Sequence, residues 1–311
     1  MKSTRLIAVV VFLLLGGFYV PGCRASSDDV GTSAAQVLKL GLGARALALG
    51  GALSGLADDV TAIHWNPAGL AGLRGWELTF MHQSLPSDVS YESAAFARPL
   101  PGLGVLAGDL NYLHMGRLEG RNQSGEFTSE FGCSDMSLAL GLGAKAGSNL
   151  FLGASIKYLS ETIEDYTAHT VAFDLGWLYK TPWSKLRLGG TVQNLGHEMK
   201  FVSESFGLPR VLKLGLALTD TLGRGVINAV ADFCAPSDNV NSLRAGAECI
   251  YENLVAVRVG YNSSSEFDSD SKMSLGVGLV FAKTHTYCLD YCFIPIGDLG
   301  DSHAVSLTFR F

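Results

Sequence analysis

The chain has 311 residues and a formal net charge of −6, with 17% charged against 48% hydrophobic residues. A soluble domain usually carries about 25% charge, so a heavily solvated globule fits poorly, and the acidic balance argues against a nucleic-acid partner. Past the amino terminus no run of about 18 apolar residues occurs, so no transmembrane helix is expected.

Lys2 and Arg5 precede an uncharged apolar stretch over 6–20, closed by small residues through Ala25. This pattern predicts a secretory signal peptide over 1–25. Cys23 sits in a poor lipobox, which Pro21 fits badly, so ordinary cleavage is expected over lipidation. Residues 26–34 read as a disordered polar start, and 35–74 as a small, glycine-rich segment. Within that segment Asp59 is expected to cap a short helix over 60–64. Asn66 is expected to cap a second turn, with Pro67 at its first position, where a missing N–H costs nothing. Gly50, Gly51 and Gly69 allow backbone to pass close to backbone. The segment is too small to fold alone and needs an enclosure.

From residue 75 the chain breaks into alternating runs. Fourteen strands are predicted, at 76–82, 90–98, 103–114, 134–145, 149–160, 168–180, 185–195, 209–219, 225–234, 242–251, 254–262, 272–282, 285–294 and 303–311. Most are about as long as a tilted membrane-spanning strand requires. Val171, Phe173, Leu175 and Trp177 alternate with Thr170, Asp174 and Gly176, which gives one face for lipid and one for a lumen. Long polar loops are expected near 83–89, 115–133, 161–167, 196–208, 235–241, 263–271 and 295–302, and short turns between them. Such a rhythm suits an up-and-down barrel with turns on one rim and loops on the other. The last strand places Val305, Leu307, Phe309 and Phe311 on one face. Only a closed barrel can leave so apolar a face on a terminal strand. The fold class is therefore all-β: a fourteen-stranded antiparallel transmembrane β-barrel over 75–311, with a small amino-terminal helical plug over 35–74.

Candidate chemistry is sparse. Five cysteines follow the signal, at 133, 234, 249, 288 and 292, and an odd number cannot pair completely. Cys288 and Cys292 point the same way on one strand, too far apart for easy bonding. Adjacent Asp58 and Asp59 are expected to point apart, which favours capping over a metal pair. No histidine has the spacing to complete a zinc set. No Gly-x-Ser-x-Gly elbow occurs. No catalytic residue, metal or cofactor is assigned, and an enzyme is not expected. Asp268-Ser269-Asp270 reads as a solvated loop. Arg244, Glu248 and Arg258 face the lumen, where they could select a solute or pair with one another and hold the plug.

The run Arg45-Ala-Leu-x-x-Gly50-Gly51-Ala, then Leu56-Ala-Asp58-Asp59-x-x-Ala-Ile-x-Trp65-Asn66-Pro67-Ala68-Gly69-Leu, resembles the amino-terminal signature of the PorV/PorQ family. That family is similar to the FadL-type outer-membrane transporters, which share the Asn-Pro-Ala element in their plug. Val192-Gln-Asn-Leu-Gly196 and Leu208-Pro-Arg210 carry the same resemblance. It implies a fourteen-stranded barrel with a plug, while the modest loops make a FadL-style external capture site doubtful. The terminal Phe311 resembles the sorting signal of bacterial outer-membrane barrels, which implies the outer membrane as location and the barrel-assembly machinery as partner. An even strand number puts both termini on the periplasmic side.

Two functions follow as expectations. One is passive transport or binding of a small hydrophobic molecule through the plugged lumen. The other, implied by the PorV branch, is a type IX secretion accessory that collects secreted protein cargo on its loops. An outer-membrane lipid hydrolase is a minor third.

Overall fold

The computed structural model describes residues 31–264, 272–282 and 284–311. The expected signal peptide, Cys23 and the Asp268–Asp270 loop lie outside them. The polar start ends earlier than expected. Ser33 bonds the Asp238 carboxylate, and the Ala34 N–H donates to Gly207 O at 3.0 Å.

The strands are β1 Glu77–Leu85, β2 Val89–Leu100, β3 Gly104–Met115, β4 Leu118–Arg121, β5 Phe127–Phe131, β6 Cys133–Lys145, β7 Leu150–Ile163, β8 Tyr166–Lys180 and β9 Leu186–Gly196. They continue as β10 Met199–Phe201, β11 Glu204–Phe206, β12 Val211–Leu222, β13 Gly225–Pro236, β14 Ser242–Tyr251, β15 Val255–Asn262, β16 Met273–Ala282, β17 Thr286–Pro295 and β18 Asp301–Arg310. Fourteen of them close one antiparallel barrel, in which β1 pairs with both β2 and β18. The seam runs from Glu77↔Arg310 to Ser84↔His303. Phe311 lies one residue beyond β18. Its N–H still reaches Trp76 O at 2.9 Å, and its ring packs on His285 at 5.0 Å.

The remaining strands form two hairpins, β4–β5 and β10–β11, inside segments expected to be loops. Two other expected long loops are tight turns. β1 and β2 run on to a turn over 86–88, and β7 and β8 to one at 164–165. The left-handed backbone at Ser87, Asp88 and Glu164 makes these turns. The strands there rise past their apolar belt, so their polar rims read as loop.

Period-two alternation builds the wall. On β16, Leu275 and Val277 are each 52% exposed and point outward, while Ser274 is buried. On β8, Phe173 and Leu175 point out while Asp174 is fully buried. Val305, Leu307 and Phe311 are exposed on the outer wall, and Ser306 and Thr308 are buried. The outer face is a greasy belt that suits lipid, as in membrane-spanning barrels.

Inside the barrel lies the segment 35–73. It carries helix α1 (Ala44–Ala48), helix α2 (Ala62–Trp65), and 3-10 turns at Gln36–Lys39 and Pro67–Gly72. Leu42, Leu49, Leu53, Leu56, Val60 and Ile63 of this segment are fully buried, and Leu38, Leu40 and Leu47 partly so. The wall meets it through inward glycines. A side chain at Gly143 would come within 2.7 Å of Pro67 O, and one at Gly246 within 2.7 Å of Leu49 O. Gly153 and Gly176 face Asn66 and Pro67, Gly189 and Gly215 face Ser54, and Gly260 faces Leu49 and Gly50. These glycines stand on seven of the fourteen barrel strands and let the inner segment approach the sheet closely.

Candidate functional site

Three contacts hold the shape of the inner segment. The Asn66 side chain accepts from Ala68 N–H at 3.2 Å and donates to Ser54 O at 2.8 Å and to Trp177 O at 3.0 Å. One amide therefore caps the turn that Pro67 opens, ties two parts of the segment together and anchors both to β8. Trp65 Nε1 donates to Leu42 O at 2.8 Å. Gly50 and Gly51 have φ of 67° and 73°, a region that costs other residues. They turn the chain where it meets the wall at Tyr261 and Arg244. Gly69 backs onto Ala57 O.

The charged residues of the motif converge. Arg45 donates Nε and Nη2 to Glu248 on β14, at 2.9 and 2.8 Å. Its Nη1 reaches Asp58 Oδ1 at 2.7 Å and Asp59 Oδ2 at 2.8 Å. The expectation that the two aspartates point apart is overturned, because one guanidinium nitrogen gathers both. Asp59 makes a capping bond at the turn that leads into α2, although α2 itself starts at Ala62: its Oδ1 accepts from Thr61 N–H at 3.0 Å and Thr61 Oγ1 at 2.5 Å. Burial opposes charge on Asp59, yet Arg45, then Arg310 and Thr61, hold its carboxyl below the ordinary value.

Glu248 is shared. Arg258 on β15 donates to it at 2.6 Å and to Asp290 on β17 at 2.7 Å, and Asn228 Nδ2 donates to it at 2.9 Å. Glu77 on β1 accepts the Val60 N–H at 2.9 Å. The wall therefore clamps the inner segment from β1 and β14, and residues on β13, β15 and β17 brace Glu248 from behind. Asp290, Asn228 and Glu77 escaped sequence reasoning. A signal was there: Asp290 interrupts Leu289 and Tyr291 at an inward position.

Arg244 stands apart from this cluster. Among the described residues, its Nε is buried without a hydrogen-bond partner, as are Gln83 Oε1 and Ser274 Oγ. All three residues line a cavity of about 140 Å³ toward the long-loop rim, with Leu40, Leu47, Trp65 and Ile294 among its apolar walls. On the other side of the clamp, toward the short-turn rim, lies a polar cavity of about 220 Å³ bordered by Arg45, Asp58, Asp59, Arg258 and Asp290. The inner segment divides the two.

The second motif is a joint in the wall. The β8–β9 register shifts between Phe173 and Leu175. Asp174 there accepts Asn194 N–H at 2.8 Å and pairs with Lys157 at 2.7 Å. Asn194, at φ 61°, donates from Nδ2 to Pro209 O at 2.8 Å, so the runs 192–196 and 208–210 are bonded to each other. Gln193 donates to His64 O and fixes α2 to the same place.

Comparison with known proteins agrees with this architecture. The Pseudomonas putida toluene transporter TodX superposes with a TM-score of 0.61 at 16% identity, over 87% of this chain and 98% of that one. The Ralstonia pickettii toluene transporter TbuX gives 0.58 at 14%, over 87% and 97%. A Pseudomonas aeruginosa FadL homologue gives 0.54 at 11%, over 86% and 96%. At such identities the likeness is one of fold: the chain shares the barrel architecture of these proteins. The model of "Uncharacterised protein family (UPF0164)" matches residues 23–108, which include the whole inner segment, β1, β2 and the start of β3. No curated protein sequence matches the chain.

Proposed function

We propose that the chain is an outer-membrane barrel that binds small hydrophobic molecules and lets them pass without an energy source, with the segment 35–73 as its plug. The observation that carries this reading is the pair of cavities divided by a clamped inner segment. The loop-side cavity offers apolar walls. Arg244, Gln83 and Ser274 leave polar atoms there for a ligand's polar end. The cavity is smaller than the roughly 300–1,000 Å³ of ordinary ligand sites, so passage requires the plug to yield. The fold shared with toluene transporters and a FadL homologue supports the same reading, as does the apolar outer belt. The carboxyl terminus then lies at the periplasmic, short-turn rim, whereas the described start of the chain differs from the expectation for both termini, because Ser33 and Ala34 are bonded to Asp238 and Gly207 on the long-loop rim. We read the chain as a non-enzyme, in line with the toluene transporters whose fold it shares.

The test is uptake of a labelled small hydrophobic molecule by intact cells that display the full chain. Asn66→Ala and Pro67→Ala are expected to change uptake while the barrel still assembles. Unchanged uptake in both, with wild-type levels of folded barrel, would contradict the proposal.

The PorV/PorQ resemblance of the plug motif supports a second reading, in which the loop rim collects secreted cargo. The β4–β5 hairpin favours it by presenting Phe127, which is 57% exposed. Co-purification of secreted protein that is lost on Phe127→Ser would support it.

A further inference from the structure

We propose that the outer wall from β17 through β18 and β1 to β8 carries, at its long-loop edge, a docking shelf for the sugar head group of an uncharged glycolipid.

The first observation is a row of hydroxyls and imidazoles that strand register lines up. His303 stands opposite Ser84, Ser84 opposite Ser90, Ser90 opposite His114, and His114 opposite Ser134. Thr162 and Thr167 carry the row on to β8, where their hydroxyls bond each other at 3.1 Å. The alternation turns these residues outward, since their neighbours Gln83, Leu113 and Ala168 are buried. Two residues nearer the membrane centre, His82 faces Glu92 and Glu92 faces Tyr112. His82 Nδ1 lies 2.6 Å from Glu92 Oε1. Two residues further still, the row is Leu307, Phe80, Ala94, Leu110 and Leu138, all apolar. The wall thus passes from acyl-chain to hydrogen-bonding character within two rows.

The second observation is a repeated pairing of imidazole with tyrosine. Tyr291 OH lies 2.8 Å from His303 Nδ1, and Tyr158 OH lies 3.0 Å from His169 Nδ1. The Tyr112 and His114 rings stack at 5.5 Å. These contacts fix the rings on the wall. The opposite half of the barrel differs. At the long-loop ends of β13, β14, β15 and β16 the outward residues are Phe233, Leu243, Tyr261 and Met273, all exposed. A girdle that only marked the membrane boundary would run all the way round, whereas this shelf occupies one side.

The chemistry of the shelf selects its occupant. Neither polar row contains Lys or Arg, the residues that ordinarily hold phosphate. Glu92 within the shelf, and Asp88 and Asp301 on the rim beyond it, would repel a phosphate. Ser, Thr, Tyr and His supply donors and acceptors together, and a carboxylate is a strong acceptor. An uncharged polyhydroxylated head uses both kinds of group. The rings of Tyr112 and Tyr291, 41% and 38% exposed, offer faces for a sugar ring, and the apolar row beneath receives the acyl chains. The shelf is on the outside of the barrel and does not depend on the plug or on either cavity.

The experiment uses the full chain in zwitterionic detergent and native mass spectrometry with monogalactosyl diacylglycerol, diacylglycerol and phosphatidylglycerol of the same acyl chains. The galactolipid should be retained saturably, roughly tenfold more tightly than diacylglycerol, since a few net hydrogen bonds separate the two. It should also be retained more tightly than phosphatidylglycerol. The double variant His82→Leu, His114→Leu should lose this preference, and Leu243→Ala on the opposite half should keep it. Phosphatidylglycerol held as tightly as the galactolipid would assign the shelf to phosphate and overturn the sugar. Equal retention of all three lipids would reduce the shelf to a general lipid contact and overturn it. So would a galactolipid preference that survives in the double variant with normal barrel migration on gels.

Discussion

Arg45 on α1 and Glu248 on β14 form a bidentate ion pair inside the barrel, with bonds of 2.9 and 2.8 Å. Both side chains are largely shielded, at 13% and 0% exposure. Removing Arg45 would leave the buried Asp59 without its ion-pair partner, which typically costs about 3–5 kcal/mol, while Glu248 would keep Arg258. Arg45→Ala should therefore loosen the inner segment. Hydrogen exchange at 44–72 is expected to speed up by a hundredfold or more, on the order of the lost pair, while the barrel strands keep their protection.

Wall glycines should be intolerant where they face the plug. A Cβ at Gly246 would meet Leu49 O at 2.7 Å, whereas one at Gly147 would meet nothing within 4 Å. Gly246→Ala is expected to lower the thermal midpoint by an overpacking cost of about 1–3 kcal/mol. Gly147→Ala should leave it unchanged. Thermal melts of the two variants in detergent decide the matter.

Asn66 serves three bonds with one side chain. Asn66→Ala leaves buried carbonyls of Ser54 and Trp177 without that donor, and a loss of about 1–3 kcal/mol in local stability is expected. Asn66→Asp should be worse than a conservative change suggests, because a carboxylate offers no donor to either carbonyl. Proteolytic sensitivity of the segment, compared between the variants, checks the order.

The clamp should respond to acid with a defined sign. The Asp59 carboxyl is held below its ordinary value in the folded chain. Its contribution is thus fully present above the unfolded value and is lost as pH falls through the folded one. After correction for intrinsic rates, exchange at 44–72 should show a rise in the acid range where carboxylates protonate, and Asp59→Asn should remove it. The same acid rise in Asp59→Asn would be inconsistent with Asp59 in this role.

The wall was legible because period two is written into each strand. Leu275 and Val277 against Ser274, or Phe173 and Leu175 against Asp174, mark two faces by residue type alone. The rims were less legible. β1, β2, β7 and β8 extend past the apolar belt, and polar residues that still pair in the sheet look like loop. The β4–β5 and β10–β11 hairpins were hidden for the same reason. Within the site, the motif flagged Arg45, Asp58 and Asp59, and inward parity flagged Glu248 and Arg258. Their convergence was not readable, because it depends on where a short segment lies against strands far along the chain, as in the Arg45–Glu248 separation of 203. Local reasoning about adjacent aspartates failed at Asp58 and Asp59, since a long guanidinium can reach both.

On the proposed passive route, a clamped plug separates two cavities. The most direct measurement is uptake of a labelled small hydrophobic molecule by cells carrying the wild-type chain or Arg45→Gln, at matched amounts of folded barrel. Faster uptake with Arg45→Gln is the predicted result. Equal uptake, alongside hydrogen exchange that proves the segment 44–72 has been loosened, would contradict the role of the plug.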